Sequence, residues 1–266
     1  MKSFCEMIKM NIKIYIQHKW GFLFTLFVQP VVLLINYFIF TSIYAYNGTA
    51  VIKGYEVNQM IWYYTAVHFV SIFIWNNAHQ NISSKVLSGD ISVDLLKPTN
   101  LYLIELADAI GLRLVGILLE FLPAVFIYSL VVFPDFISII SVLQFLVTSI
   151  LSFFLYFNLG FFVGMFAFLL KRSQTINAIK DVLVNVFGGV LIPLEFYPQA
   201  IAGVLDYLPF KYIFYWPVQF FLNRHVGELS VFLRVTVIQL IWILLLFALA
   251  QVMSKSMMRR YCAVGG

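Results

Sequence analysis

Long apolar runs, broken by two wet stretches, set the plan of this chain. The runs are Gly21–Tyr46, Val57–Trp75, Leu101–Phe133, Phe136–Leu170, Ser173–Leu194 and Glu228–Met253. A helix that crosses a bilayer needs roughly 20 predominantly apolar residues. The pattern therefore predicts an all-α polytopic membrane protein with six transmembrane helices. Ahead of the first run, Phe4, Ile8, Ile12 and Tyr15 recur at helical spacing, with Lys2, Lys9, Lys13 and Lys19 between them. Residues 1–20 read as an amphipathic interfacial helix on the inner leaflet. The alternative is a first span preceded by loose basic flanking residues.

The first wet stretch is residues 76–100, and its core is Lys85–Asn100, KVLSGDISVDLLKPTN. A membrane protein puts such a segment in water. The pattern predicts a short helix with Ile91, Leu95 and Leu96 on one side and Asp90, Asp94 and Lys97 on the other. Gly89 permits the turn before it and Pro98 ends it. Such a helix can insert apolar knobs into a partner's groove and hold register by charge. The second stretch, residues 195–227, is rich in aromatics and proline, from Phe196 and Tyr197 to Trp216 and Pro217. It is too broken to span and too apolar for a free loop. Two short helices dipping into the outer interface as a re-entrant hairpin meet both constraints.

Composition names the solvent. Hydrophobic residues make up 62% and charged residues 11%, and the mean hydropathy is +0.93, far from the roughly 25% charged residues of a soluble domain. The net charge of +5 is read as topology and not as a nucleic-acid surface. With both termini inside, the inner side holds eleven cationic residues: Lys2, Lys9, Lys13, Lys19, Lys85, Lys97, Lys171, Arg172, Lys255, Arg259 and Arg260. The outer side holds three, Lys53, Lys211 and Arg224. The positive-inside rule then places residues 76–100 and both termini in the cytoplasm. The first run is too long for the h-region of a cleavable signal and lacks a small-residue cleavage site.

Within the spans, Pro30 is expected to kink the first and Asn36 to face protein. His68 reads as a packing residue. Glu105 and Asp108 share a helix face and read as cytoplasmic groups before the hydrocarbon begins. Arg113 and Glu120, seven apart, read as a buried charge pair or a path, because charges in lipid pair or line cavities. Gly160 and Gly164 form a close-packing signature. Lys180 and Asp181 mark the inner start of the fifth run.

Candidate chemistry is scarce. The chain has no phosphate-binding Gly-x-x-x-x-Gly-Lys-Ser/Thr loop, no His-Glu-x-x-His and no Gly-x-Ser-x-Gly. Its four histidines show no ligand spacing, and Cys5 and Cys262 are too far apart in sequence for a framework. No cofactor, metal or catalytic residue is expected, and nucleic acid is not an expected partner.

The stretch Gly89-Asp90-Ile91-Ser92-x-Asp94-Leu95-Leu96-Lys97-Pro98 resembles the first cytoplasmic loop of type 2 ABC exporter permeases, in the bacterial subgroup grouped with drug and antibiotic transport subunits. Gly188-Gly189-x-x-x-Pro193-Leu194-x-x-Tyr197-Pro198, followed by Leu208-Pro209-Phe210, is similar to their hairpin before the last span. The resemblance covers the whole chain in layout, as one permease domain over residues 1–266. It implies a plasma-membrane permease half that pairs with a second permease, identical or homologous. Two copies of a separate ATP-binding subunit would dock beneath it, and ATP hydrolysis would lie there alone. Residues 89–98 would form the coupling helix. The cargo would be hydrophobic or amphipathic, such as a lipid, drug or antimicrobial peptide. Two rivals are an ion-coupled transporter or channel using His68, Arg113 and Glu120, and a membrane-embedded enzyme, which would need a polar cluster the sequence does not offer.

Overall fold

A computed structural model of the chain describes residues 2–17, 19–97, 99–131, 134–170, 173–225 and 228–260. Of the residues singled out above, Pro98, Lys171, Arg172 and Cys262 lie outside these, as do the side chains of Lys2, Lys19, Arg259 and Arg260. The chain opens with α1 (Lys2–Gln17), separate from α2 (Lys19–Asn47), which runs through Pro30. Strands β1 (Val51–Ile52) and β2 (Tyr55–Glu56) make a hairpin between the first and second apolar runs. Lys53 and Gly54 both take positive φ there, 50° and 81°, as tight hairpin turns require. Then come α3 (Val57–Ile74), α4 (Ala78–Ser88), α5 (Ile91–Leu95) and α6 (Leu101–Gly116). A π turn, Ile117–Phe121, joins α6 to α7 (Leu122–Val131). The rest comprises α8 (Ile139–Gly164), α9 (Ser173–Phe187), α10 (Gln199–Leu205), α11 (Tyr215–Phe221) and α12 (Leu229–Arg260).

Among the described residues, four helices are long and apolar enough to cross a membrane: Phe24–Asn47, Leu101–Leu130, Ile139–Phe168 and Leu229–Met257. The second and fifth predicted runs hold α3 and α9, which are not among them. Each has a physical reason. Helix α3 has eighteen residues, but Asn58, Gln59 and His68 lower its hydropathy, and twelve of the eighteen residues, Tyr63 and Thr65 among them, are buried in protein. Helix α9 has fifteen residues, about 22 Å of rise, and ends at Gly188-Gly189, where Gly189 takes φ +80°.

Helix α8 is the hub. It packs against α3, α4, α9, α11 and α12, while α2 buries few of its described side chains, Leu33 and Tyr44 among them. The core between α3, α8 and α11 is aromatic: Phe69 meets Phe121, Tyr128 and Phe221, and Phe145 meets Phe73 and Phe221. Gly160 and Gly164 do mark a close approach, and the neighbour is α4. A Cβ on Gly164 would stand 3.1 Å from the His79 Cα.

The stretch after α9 does form two short helices of seven residues each, α10 and α11. Its tyrosines have a purpose. The broken backbone after α9 frees carbonyls, and buried carbonyls need donors. Tyr197 donates to the Val186 carbonyl (2.8 Å), Tyr64 to Leu191 (3.0 Å) and Tyr63 to Gly189. The hairpin β1–β2 is tied in as well. Tyr55 and Tyr215 both donate to Glu195 Oε1, at 3.0 and 2.9 Å, and the Arg224 guanidinium lies 3.8 Å over the Tyr55 ring.

Candidate functional site

The polar stretch between α3 and α6 is two helices and not a loop. Helix α4 ends at Gly89, whose φ of +84° is the left-handed conformation that glycine adopts without strain. This is the turn the sequence assigned to it. Ser88 Oγ donates to Asp90 Oδ2 at 2.7 Å, and α5 follows at once.

The faces of α5 differ from the sequence expectation. Ile91 is fully buried and Asp94 nearly so, while Val93 and Leu96 are 60% and 86% exposed and Leu95 is 38% exposed. Ile91 therefore anchors the helix to the body and does not offer a knob outward. Asp94 is an internal tie: Lys85 Nζ lies 2.8 Å from its Oδ2 and Lys97 Nζ 2.6 Å from its Oδ1. Asp90 stays on the exposed side.

Lys85 also reaches Glu105 Oε1 at 2.7 Å. Glu105 is only 1% exposed, so the expectation of a solvated cytoplasmic carboxylate is corrected. It sits in protein because α4 brings a cation to it. Asn81 Nδ2 donates to both Glu105 Oε2 and Asp108 Oδ2, each at 3.3 Å, and Tyr15 of α1 donates to Asp108 Oδ1 at 2.9 Å. Glu105 and Asp108 do share a face, as their spacing required. Helix α1 lies against α6 where Gly111 has no side chain; a Cβ there would meet the Asn11 Cβ at 2.8 Å. One connected set of contacts thus runs from α5 through Lys85 to the first turns of α6 and on to α1.

The electrostatics agree with a clamp. Burial alone would lower the Lys85 pKa, but Glu105 and Asp94 outweigh it and hold the ammonium above its ordinary value. Burial alone would raise Asp94, but the hydrogen bonds and charges of Lys85 and Lys97 outweigh it and hold the carboxyl below its ordinary value.

The opposite face of α4 carries a second polar group. Lys180 is 3% exposed. Its Nζ lies 2.9 Å from Asp181 Oδ1, 3.0 Å from the Tyr156 hydroxyl and 3.3 Å from His79 Nδ1. Burial, then the Lys180 charge, push His79 down to about 4, so its ring is neutral at pH 7.

Arg113 and Glu120 do not form an ion pair; each takes a different partner. Arg113 Nη1 donates to the Ile72 carbonyl (2.8 Å), and Thr25 Oγ1 donates to Glu120 Oε1 (2.8 Å). Both side chains flank Gly116, but the π turn that contains Glu120 adds a residue to the helical repeat and re-aims it. His68 lines a small cavity together with Asn36, Thr65 and Tyr128.

Sequence reasoning passed over Lys85, Asn81, Glu105, His79 and Lys180 as site members. The available signal was the run of polar residues at Asn81, Lys85 and Ser88, which a solvated loop does not need. Among the described residues no three His, Cys, Asp or Glu side chains converge as metal ligands.

No curated protein and no solved structure matches the chain. A family profile described as ABC-2 family transporter protein matches residues 31–265, which takes in everything from the body of α2 onward. The chain belongs to the ABC-2 family of transporter proteins, as a multi-pass membrane permease of the kind that works with an ATP-binding subunit.

Proposed function

We propose that the chain is one half of an ATP-driven exporter and that α5 is its coupling helix. The single supporting observation is the way α5 is held. Ile91 and the Lys85–Asp94–Lys97 clamp fix it to α4, Lys85 fixes α4 to α6, and Val93, Leu95 and Leu96 are left facing outward. An exposed apolar patch rimmed by polar groups marks an interaction site. A separate ATP-binding subunit docks there, two copies per assembly, with a second permease, identical or homologous, completing the path. Gly89 and Asp90 set the start of the docking segment. ATP closes the partner dimer, α5 is pushed, and α6 moves with it because of Lys85–Glu105.

In this reading all six runs cross the plasma membrane, α3 and α9 being shielded by protein, and both termini lie in the cytoplasm. Helix α1 rests on the inner leaflet, and α10 and α11 form the outer hairpin. The cargo is hydrophobic or amphipathic and moves outward. An ion-coupled path through His68, Arg113 and Glu120 is less well supported, because Arg113 and Glu120 are spent on separate partners. The test is copurification with the ATP-binding subunit. Leu96→Asp is expected to abolish the complex; an intact complex with unchanged ATP turnover would overturn the assignment.

A further inference from the structure

A groove of about 320 Å³ lies between α6 and α8. Ile110, Arg113, Leu114 and Ile117 line it from α6, at the spacing of one helix face. Ile150, Phe153 and Phe154 repeat that spacing on α8. Phe73 of α3 and Phe153 are buried and form the floor, while Leu114 and Ile150 are half-exposed and form the rim. Among the described residues, every lining side chain but Arg113 is apolar.

Family and depth set the surroundings. The chain is a multi-pass membrane protein. The groove's residues stand near the middle of Leu101–Leu130 and Ile139–Phe168, two helices long and apolar enough to cross. Hydrocarbon is the solvent at that depth. Water does not fill an apolar cavity of this size; apolar ligands do. The groove follows two turns of α6, about 10 Å of rise, so it runs along the spans, in the direction in which lipid tails lie. A second copy of the chain would bring a broad face of roughly 20–30 residues, where this groove presents eight.

We propose that the groove binds one acyl chain of a membrane phospholipid, laid along α6 and α8 over Arg113. The inference rests on the family assignment and not on coupling at α5. The tail has a structural task. Arg113 is buried, and its Nη1 donates to the Ile72 carbonyl at 2.8 Å. A charge-assisted hydrogen bond gains strength where water is kept out, and a tail across the groove keeps it out.

The test uses the purified permease in excess detergent, with trace phosphatidylcholine that carries a diazirine at the middle of one tail. Phe38, an exposed residue of α2, reports casual contact. Irradiation should place adducts on residues 110–117 and 150–154 about tenfold more often than around Phe38, the preference that about two buried methylenes supply. Ile150→Trp should fill the groove and remove that excess from residues 110–117, leaving the adducts around Phe38 unchanged. Leu114→Trp fills it from the opposite wall, should the first variant fail to fold. Adducts no denser in the groove than around Phe38, or unchanged by a folded filler, would overturn the proposal. So would a disulfide between two copies carrying Leu114→Cys, with Cys5 and Cys262 changed to serine, because a second chain would then cover the groove. A failure here leaves the coupling reading standing, and a failure of coupling at α5 leaves this result untouched.

Discussion

The Lys85 ammonium lies 2.7 Å from Glu105 Oε1 and 2.8 Å from Asp94 Oδ2. One cation therefore joins the short helix α5 to the second turn of α6, a helix that can cross the membrane. Glu105 is buried, and a buried carboxylate without a partner is costly. The contact is thus held in place by the penalty of breaking it. That makes it a stiff link between α5 and α6, where a solvated pair would yield.

Lys85→Met is expected to lower stability by about 3 kcal/mol, because it strands Glu105. Thermal unfolding of the purified permease measures this. Lys85→Met combined with Glu105→Gln should recover part of the loss, the signature of a pair that acts as a unit. Additive losses in the double variant would show that the two residues do not interact.

The two sides of α5 should answer differently to charge. Leu96 is 86% exposed and Ile91 fully buried. Leu96→Asp should change stability by no more than about 0.5 kcal/mol, as surface substitutions do. Ile91→Asp should cost several times that by burying an unpaired carboxylate. Unfolding curves for the two variants, run side by side, check the assignment of the faces.

Gly164→Ala should loosen the seat of α4 on α8. The added methyl would stand 3.1 Å from both the His79 Cα and the Ile82 Cδ1, and the former is backbone that cannot swing aside. A cost of about 1–3 kcal/mol is expected, as for overpacking in a core. Gly203, with nothing near its would-be Cβ, is the control, and Gly203→Ala should be neutral or mildly stabilising by thermal unfolding.

The clamp should also have a pH window. Asp94 has its pKa lowered on folding, so its contribution is full above the unfolded value of roughly 4 and is lost as pH falls through the lower folded value. Lys85 has its pKa raised, so its contribution is full below roughly 10 and is lost as pH rises through the higher folded value. Protection of backbone amides in residues 89–97 against hydrogen exchange, corrected for intrinsic rate, should be flat from about pH 5 to pH 9. Protection that drops near pH 7 would count against the clamp.

Much of this was legible in the chain because lipid demands so much of a sequence. The runs that hold α2, α6 with α7, α8 and α12 announce themselves by hydropathy alone. Gly89 announced the turn before α5, and the mixed aromatics and prolines after α9 announced short helices. What could not be read is which half of a helix meets the body. Periodicity divided α5 into an Ile91 side and an Asp94 side, but both turned inward, because Lys85 waited there nine residues upstream. The π turn at Glu120 leaves no mark in composition, so the Arg113–Glu120 spacing misled. Nothing in the second run marks Tyr63 and Tyr64, whose partners are carbonyls more than a hundred residues later, at Gly189 and Leu191.

The most direct measurement places a cysteine at Leu96, with Cys5 and Cys262 changed to serine, and asks what it meets. With the ATP-binding subunit coexpressed, a short bifunctional maleimide added to inside-out vesicles should link the two chains. A membrane-impermeant maleimide added to intact cells should not label the new thiol. A thiol that reacts from the outer face, or that never links to the ATP-binding subunit in an intact complex, would contradict the assignment of α5 as the point where force enters.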